Sequence, residues 1–546
     1  MIKRIKALKP HQILFIVSVI LQVTLMVINT VRGNIHVDEA MTILNARSLA
    51  DNGTDILGEK LPVYFDTWLY GGQSPFATYL MAVFIKVFGY SLFVSRIPIL
   101  IADIIGIWVF YLFIKELIPG NQKMVDVIYA FGCFSPVIIF SSSYTLDCNF
   151  LPLMVLVGMY FLARAINTDK SRYYIFSMIF FGLGFYCYIL SSIIIPTLLV
   201  GIYLMLIIKK KISLKNIAVS VITIFIIAIP FILSGLVQLG VIDDLSFLGF
   251  SISKMPYYER SIDKTAVSFI SNILAGFVSL LLPDYYIDGN GINTFLYTNF
   301  IGGFLLINGC ICILTAKSKE LKRDLEGLKI FIIPAVISAV ITCAASFFPT
   351  ALYRFNTYNY IFIILVGLGT YHLSALIKKI SLKKFTCVFL SISMCLFVGE
   401  CAYYYSDKTI ESKTMFQSSI DNALSFIDKL DVDSVGISIA DNELIEYPIQ
   451  DNSRVSTAIR LHYYGDESLL PIENELIYFN EIDNPKIKPP TNITNDNRLY
   501  FKQFDESEEL DDECMIIYKK QFEKLKYNSN LYNTEDFGVY VVLYKK

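Results

Sequence analysis

Residues 10–40 read PHQILFIVSVILQVTLMVINTVRGNIHVDEA, and their reading decides the fold class. The run from Ile13 to Ile28 carries no charge. With its flanks it supplies the roughly 20 apolar residues that a helix needs to cross a bilayer. The basic segment before it, Lys3 to Lys9, makes the pattern look like a secretory leader. No small-residue cleavage site follows, and the run leads straight into Val37-Asp38-Glu39-Ala40, so we read it as a retained membrane span.

The rest of the chain extends that reading. Of 546 residues, 55% are hydrophobic and only 17% charged, against about 25% charged in soluble domains. With a mean hydropathy of +0.55, lipid is the main solvent. The net charge of −2 argues against a nucleic-acid binder, which needs basic stripes. The ten cysteines lie mostly in apolar runs without a CxxC pair and read as small buried hydrophobes. The four histidines are scattered, which disfavours a histidine-based metal site.

Apolar runs place spans near 13–30, 92–114, 124–143, 149–166, 173–190, 192–208, 216–237, 295–315, 330–348, 352–376 and 385–403. Two shorter stretches, 76–90 and 266–283, are read as interfacial or re-entrant helices, which leaves eleven spans; were both to cross, the number would be thirteen, hence about 11–13. The positive-inside rule supports this map with a cytoplasmic N-terminus. Lys115 and Lys123, then Arg164, Lys170 and Arg172, then Lys209 to Lys215, then Lys317 to Lys329, then Lys378 to Lys384 mark alternate loops. The two large loops at 31–91 and 238–294 and the segment 404–546 then face outward. That last segment is rich in Asp, Glu, Asn and Tyr. Its short β-rich runs (Ser434–Ile439, Cys514–Tyr518, Val539–Tyr544) and the helix-like Glu411–Leu430 indicate a small extracytoplasmic α/β domain. The expected organisation is a membrane domain over 1–403 and a soluble domain over 404–546.

Several polar groups fall on the outer side. Asp38 and Glu39 are adjacent carboxylates beside a span, where charge is costly and usually employed. Asp38 either acts as a general base on a hydroxyl or N-caps the helix running from Glu39 to about Leu49. Asp147, in the turn Ser141 to Asn149, presents the same choice. Arg354 either grips a phosphate or snorkels to lipid headgroups. Lys254, Arg260 and Lys264 either meet a lipid phosphate or form an ordinary amphipathic surface. Tyr64, Trp68 and Tyr70 either line a sugar site or form an interfacial belt. No Walker motif, GxGxxG, HExxH or Ser-His-Asp arrangement occurs.

A first span followed by Val37-Asp38-Glu39-Ala40 resembles the GT-C membrane glycosyltransferases, and most closely family 39, with its protein O-mannosyltransferases and lipid A aminoarabinose transferases. The likeness continues through Gly72-Gln73-Ser74-Pro75 to Leu80, through Phe88 to Pro98, through Tyr144 to Asp147, and through Tyr353-Arg354-Phe355-Asn356. It is strongest over residues 13–165. It departs at Gln73-Ser74-Pro75, where the family often has Lys-Pro-Pro, and at the second acidic motif, which is here a single Asp147.

The resemblance implies a GT-C fold and a sugar donor carried on a polyprenyl phosphate, with a protein, lipid or polysaccharide acceptor. It implies inverting transfer on the extracytoplasmic face, with Asp38 as base. Glu39 and Asp147 complete the implied acidic site, and Arg354, Lys254 and Arg260 the phosphate contacts. His36, Tyr64, Trp68, Gln73 and Asn356 are the implied substrate contacts. A divalent ion, Mg or Mn, held by Asp38 and Asp147 is a further expectation. Two other readings compete: a polysaccharide or lipid transporter, for which no internal repeat is visible, and a non-catalytic lipid-sugar-binding assembly subunit.

Overall fold

The computed structural model describes residues 8–65, 72–255, 266–281, 300–316, 319–345, 352–377, 381–404, 406, 417–439, 448–472, 492–503 and 510–546. The first helices are α1 (Pro10–Val31), α2 (Val37–Asn52), α3 (Pro75–Phe88), α4 (Leu92–Leu117), α5 (Gln122–Cys133) and α6 (Pro136–Ser141). They are followed by α7 (Leu151–Thr168), α8 (Ser171–Gly184), α9 (Ser191–Ile208), α10 (Leu214–Gln238) and a hairpin, β1 (Leu245–Phe247) and β2 (Phe250–Ile252). Then come α11 (Ala266–Leu281), α12 (Phe300–Thr315), α13 (Lys319–Ala345), α14 (Asn359–Leu376) and α15 (Leu382–Tyr404). The remainder is α16 (Ser418–Ile427), β3 (Val435–Ile439), α17 (Pro448–His462), β4 (Leu499–Gln503), β5 (Cys514–Tyr518), α18 (Lys519–Phe522), β6 (Tyr532–Asp536) and β7 (Tyr540–Lys545). Short 3₁₀ turns at Asp147–Phe150 and Leu352–Tyr358 lead into α7 and α14.

The chain forms two compact units. The helical unit comprises Met1–Val31, Ser74–Ile242 and Ser261–Cys401. The mixed unit comprises Arg32–Gln73, Asp243–Arg260 and Ala402–Lys546. These units run across the boundary read from composition, because part of each large loop belongs with the C-terminal segment.

In the helical unit, eight helices among the described residues are long and apolar enough to cross a membrane. These are α1, α4, α9, α10, α15, the apolar stretch Leu325–Ala345 of α13, and α7 and α14 with their 3₁₀ turns. Among the described residues helix stands at all eleven expected positions, but two of them are short or broken. The run 124–143 is divided between α5 and α6 because Pro136, at the start of α6, disfavours helix at Ser135. The run 173–190 holds only the 14 residues of α8; in 295–315 the described residues form the 16-residue α12, and 295–299 lie outside the described residues. The stretch 76–90 forms the 14-residue α3, about 21 Å long and shorter than the roughly 30 Å hydrocarbon core.

Glycines set the tightest packing in this unit. A Cβ on Gly309 would overlap the Leu365 carbonyl, and one on Gly369 the Leu305 carbonyl, so α12 and α14 meet backbone to backbone. Asn308 Nδ2 donates to the Gly369 carbonyl at 2.6 Å across the same seam. Small residues at a close helix crossing, with an amide bridging it, are a usual solution in lipid.

The mixed unit is built on a five-stranded sheet of order β4-β3-β5-β7-β6. β3 pairs in parallel with β4 and β5, while β7 pairs antiparallel with β5 and β6. The three β-rich runs seen in the sequence are β3, β5 and β7, and every residue of β3 and β5 is buried. β4 and β6 carry polar residues, as in Tyr532-Asn-Thr-Glu-Asp536, and escape a reading based on apolar runs. The helix expected over Glu411–Leu430 is α16; residues 407–416 lie outside the described residues. Met41 and Leu44 of α2 sit in the same core as Ile420, Leu424, Val435 and Ile516. The helix that carries the acidic pair is therefore a structural element of the mixed unit.

Asp421 in α16 gives this unit a pH signature. Burial pushes its carboxyl up to about 7. A folded-state value above the unfolded one means the native state holds the proton longer, so stability falls as pH rises from about 4 through 7. Asp421→Asn is expected to raise the melting temperature of the full chain at pH 8 and leave it unchanged at pH 4. A melting curve at the two pH values checks this.

Candidate functional site

The acidic pair opens α2. The N-cap is His36, whose Nδ1 accepts the Asp38 backbone N–H at 3.1 Å. The capping alternative for Asp38 is thereby corrected: Asp38 lies in the first helical turn, and a buried histidine performs the capping. Because Nδ1 accepts an N–H, it is unprotonated, and its 3.9 Å separation from Asp38 Oδ2 is not an ion pair. The two carboxylates differ sharply. The Asp38 side chain is 43% exposed, whereas Glu39 is 0% exposed. Of the pair, only Asp38 is open to an incoming group.

Gln73 supports this turn from the end of the same loop. Its Nε2 donates to the Asp38 carbonyl at 3.1 Å and to Thr42 Oγ1 at 2.5 Å, and its backbone forms a bridge with Phe65. Gly72 beside it packs closely: a Cβ there would overlap the Tyr64 ring and Met255 Sδ, so these side chains would have to shift to admit one. Tyr64 is half-buried in this contact and Lys254 is exposed. Trp68 and Arg260 lie outside the described residues.

The second acidic turn belongs to the helical unit. Asp147 opens a 3₁₀ turn, and its Oδ1 accepts the Cys148 N–H at 2.7 Å while Oδ2 accepts the Ser74 N–H at 3.4 Å. Asn149 Nδ2 donates to the carbonyls of Ser141 and Tyr144 at 3.3 and 3.2 Å. Asn356 Nδ2 reaches the Cys148 carbonyl at 2.9 Å and Asn149 Oδ1 at 3.2 Å. The late Arg-x-Asn turn and the second acidic turn are thus joined by Asn356, with Arg354 half-buried one residue before Phe355. Ser74 and Asn149, small and uncharged, give no sequence signal of this role. Asn356→Ala removes both bonds and is expected to cost about 1–3 kcal/mol, read as a fall in melting temperature.

A cavity of about 90 Å³ lies in the same unit, lined by Leu306, Cys310, Val340, Cys343, Phe355 and Leu365 among others. Its walls are apolar and suited to hydrocarbon. Among the described residues no group of three His, Cys, Asp or Glu side chains comes together as a metal site would need.

Residues 72–233 match the family model described as dolichyl-phosphate-mannose-protein mannosyltransferase. The match starts after the Asp38 turn and includes Asp147. Among curated proteins, none matches by sequence. Among solved structures, the chain is similar to ArnT from Cupriavidus metallidurans bound to undecaprenyl phosphate. The TM-score is 0.54 at 10% identity, covering 97% of each chain. The apo form of that ArnT gives 0.54 at 10% identity, covering 96% of this chain and 97% of the other. The archaeal oligosaccharyltransferase AglB from Archaeoglobus fulgidus, in complex with an inhibitory peptide and a dolichol-phosphate, gives 0.49 at 13% identity, covering 82% and 63%. The family match over residues 72–233 overlaps the stretch that carries the resemblance read from the sequence, and the chain is a multi-pass membrane protein with a fold similar to that of ArnT.

Proposed function

We propose that this protein transfers a sugar from a polyprenyl-phosphate donor to an acceptor hydroxyl on the extracytoplasmic face of the membrane, with inversion at the anomeric carbon. The observation that carries the reading is the contrast within the acidic pair: Asp38 is open and Glu39 is enclosed, on a helix anchored in a sheet core. An exposed carboxylate on a rigid element has the properties of a general base.

In this reading the Asp38 carboxylate takes the proton of the acceptor hydroxyl, whose oxygen attacks the anomeric carbon. The bond from that carbon to the phosphate oxygen breaks, and polyprenyl phosphate leaves with the electron pair. A phosphate needs no proton to depart, so one base suffices where a glycosidase needs an acid and a base. Arg354 balances the developing phosphate charge through its guanidinium fork. Asp147, with Ser74 and Cys148 fixing its carboxylate, accepts hydrogen bonds from sugar hydroxyls. The apolar cavity beside Phe355 takes hydrocarbon of the lipid carrier. Glu39, enclosed in the first turn of α2, serves the shape of the site. No step is routed through a metal ion. The donor lipid is supported by the likeness to ArnT from Cupriavidus metallidurans, whose solved structure holds undecaprenyl phosphate.

The proposal places the N-terminus in the cytoplasm and residues after Tyr404 outside. The test is mass spectrometry of surface glycans and extracted lipids from cells with and without the gene. Loss of one sugar substituent, with accumulation of the corresponding polyprenyl-phosphate sugar, is the expected result. Unchanged glycans and lipids would remove the reading.

A further inference from the structure

Arg96 lies in the second turn of α4, inside a run otherwise read as apolar. It is 0% exposed and is the largest fully buried side chain among the described residues. A guanidinium keeps its charge at any physiological pH, so burying it is costly unless its surroundings compensate. Its Cζ stands 4.9 Å from the centroid of the Tyr144 ring, and Tyr144 is itself 2% exposed. A cation held over an aromatic face away from water gains more than the same pair at a surface.

The neighbouring residues repeat the contact. Thr145 Oγ1 donates to the carbonyl of Ser95 at 3.0 Å. Two consecutive residues of α4 therefore hold two consecutive residues of the turn that follows α6. Three positions after Tyr144 the same turn presents Asp147, whose two oxygens are engaged by the Cys148 and Ser74 N–H groups. Asn149 returns to the Tyr144 carbonyl and closes the turn on itself. A shift at Tyr144 is thus carried through a few bonds to the carboxylate.

We infer that Arg96 is a positioning residue for the second acidic turn: its buried guanidinium, packed on Tyr144, fixes the backbone that aims the Asp147 carboxylate. The functional half of this inference rests on the proposed sugar transfer; the structural half does not.

The test uses the full chain in lipid vesicles, with lipid extract from cells lacking the gene as donor source, membranes of those cells as acceptor and polyprenyl phosphate release as readout. The variants are Arg96→Lys, Tyr144→Leu, Tyr144→Phe and the double variant of the first two. Tyr144→Phe keeps the ring face and is expected to remain near wild type. Arg96→Lys and Tyr144→Leu are each expected to lower the maximal rate about 100-fold, the cost of a displacement near 1 Å at a reacting site. Donor KM should stay within about twofold, since the carrier lipid is gripped elsewhere. The double variant should be no slower than either single one.

A second readout is independent of activity. Cys148 in the turn is a buried thiol whose Sγ donates to Asn149 Oδ1 at 3.6 Å. Its alkylation by N-ethylmaleimide, followed by mass spectrometry, should rise more than about tenfold in Arg96→Lys and Tyr144→Leu but not in Tyr144→Phe. Unchanged Cys148 labelling in both disruptive variants overturns the inference, as does raised labelling with an unchanged rate. Equal damage from Tyr144→Phe and Tyr144→Leu also overturns it, because the hydroxyl and not the ring face would then matter. If wild type releases no polyprenyl phosphate, the proposed function fails, while the labelling still decides whether Arg96 holds the turn.

Discussion

Asp38→Asn is expected to lower sugar transfer by about 10²–10⁴-fold, the range that a positioned general base contributes. The amide cannot take a proton from the acceptor hydroxyl. The fold should not notice the change. The side chain is 43% exposed, and the cap at this helix start uses the Asp38 backbone N–H with His36, which the substitution leaves in place. The Gln73 bond also goes to the Asp38 carbonyl and not to its carboxylate. Expression and melting temperature should therefore match wild type within about 2 °C, corresponding to the near-neutral effect of a surface substitution. Initial rates of polyprenyl phosphate release measure the first effect, and a melting curve in detergent the second. A large loss of stability would mean that the carboxylate supports the fold and that the rate cannot be interpreted as chemistry.

Gly369→Leu carries the largest expected effect on stability. The Gly369 Cα lies so near the Leu305 carbonyl that even a Cβ would overlap it, and the obstacle is backbone, which cannot turn aside. Separating α12 and α14 to admit a leucine also breaks the Asn308 bond to the Gly369 carbonyl and loosens the mirror contact of Gly309 on Leu365. Overpacking of this kind typically costs about 1–3 kcal/mol, and loss of a buried hydrogen bond about 1 kcal/mol more. The melting temperature should fall steeply or the protein should fail to accumulate. Gly399→Leu in α15 is the control, because nothing lies within 4 Å of a Cβ there. It should stay within about 0.5 kcal/mol of wild type. Equal melting temperatures for the two variants would contradict the close approach of α12 and α14.

The spans were legible because twenty apolar residues in a row have few physical alternatives to lipid or a buried core. Their lengths were less so, since a run such as 124–143 reads as continuous although Pro136 interrupts it. β3, β5 and β7 were legible as β-branched or aromatic runs. β6 was not, because an edge strand exposed to water can be built from Asn, Thr, Glu and Asp. The acidic pair was found, but the local geometry was not. Capping rules favour Asp over His, and here His36 takes the position because its ring nitrogen reaches the second N–H. That α2 belongs with residues beyond 402 depends on contacts hundreds of residues apart, such as Met41 with the core of the C-terminal sheet. Arg96 was hidden for the opposite reason to Asp38: a single charge inside an apolar run reads as tolerated, until its burial against Tyr144 is seen.

The most direct test of the account is a single-turnover measurement. The purified full chain, in vesicles carrying lipid extract from cells lacking the gene, is mixed with membranes of those cells as acceptor, and polyprenyl phosphate is followed by mass spectrometry. Release by wild type, with a rate at least about 100-fold lower for folded Asp38→Asn, is the predicted result. No release by wild type, or equal release by the two proteins, would contradict the claim that this chain is a polyprenyl-phosphate-dependent glycosyltransferase with Asp38 as its base.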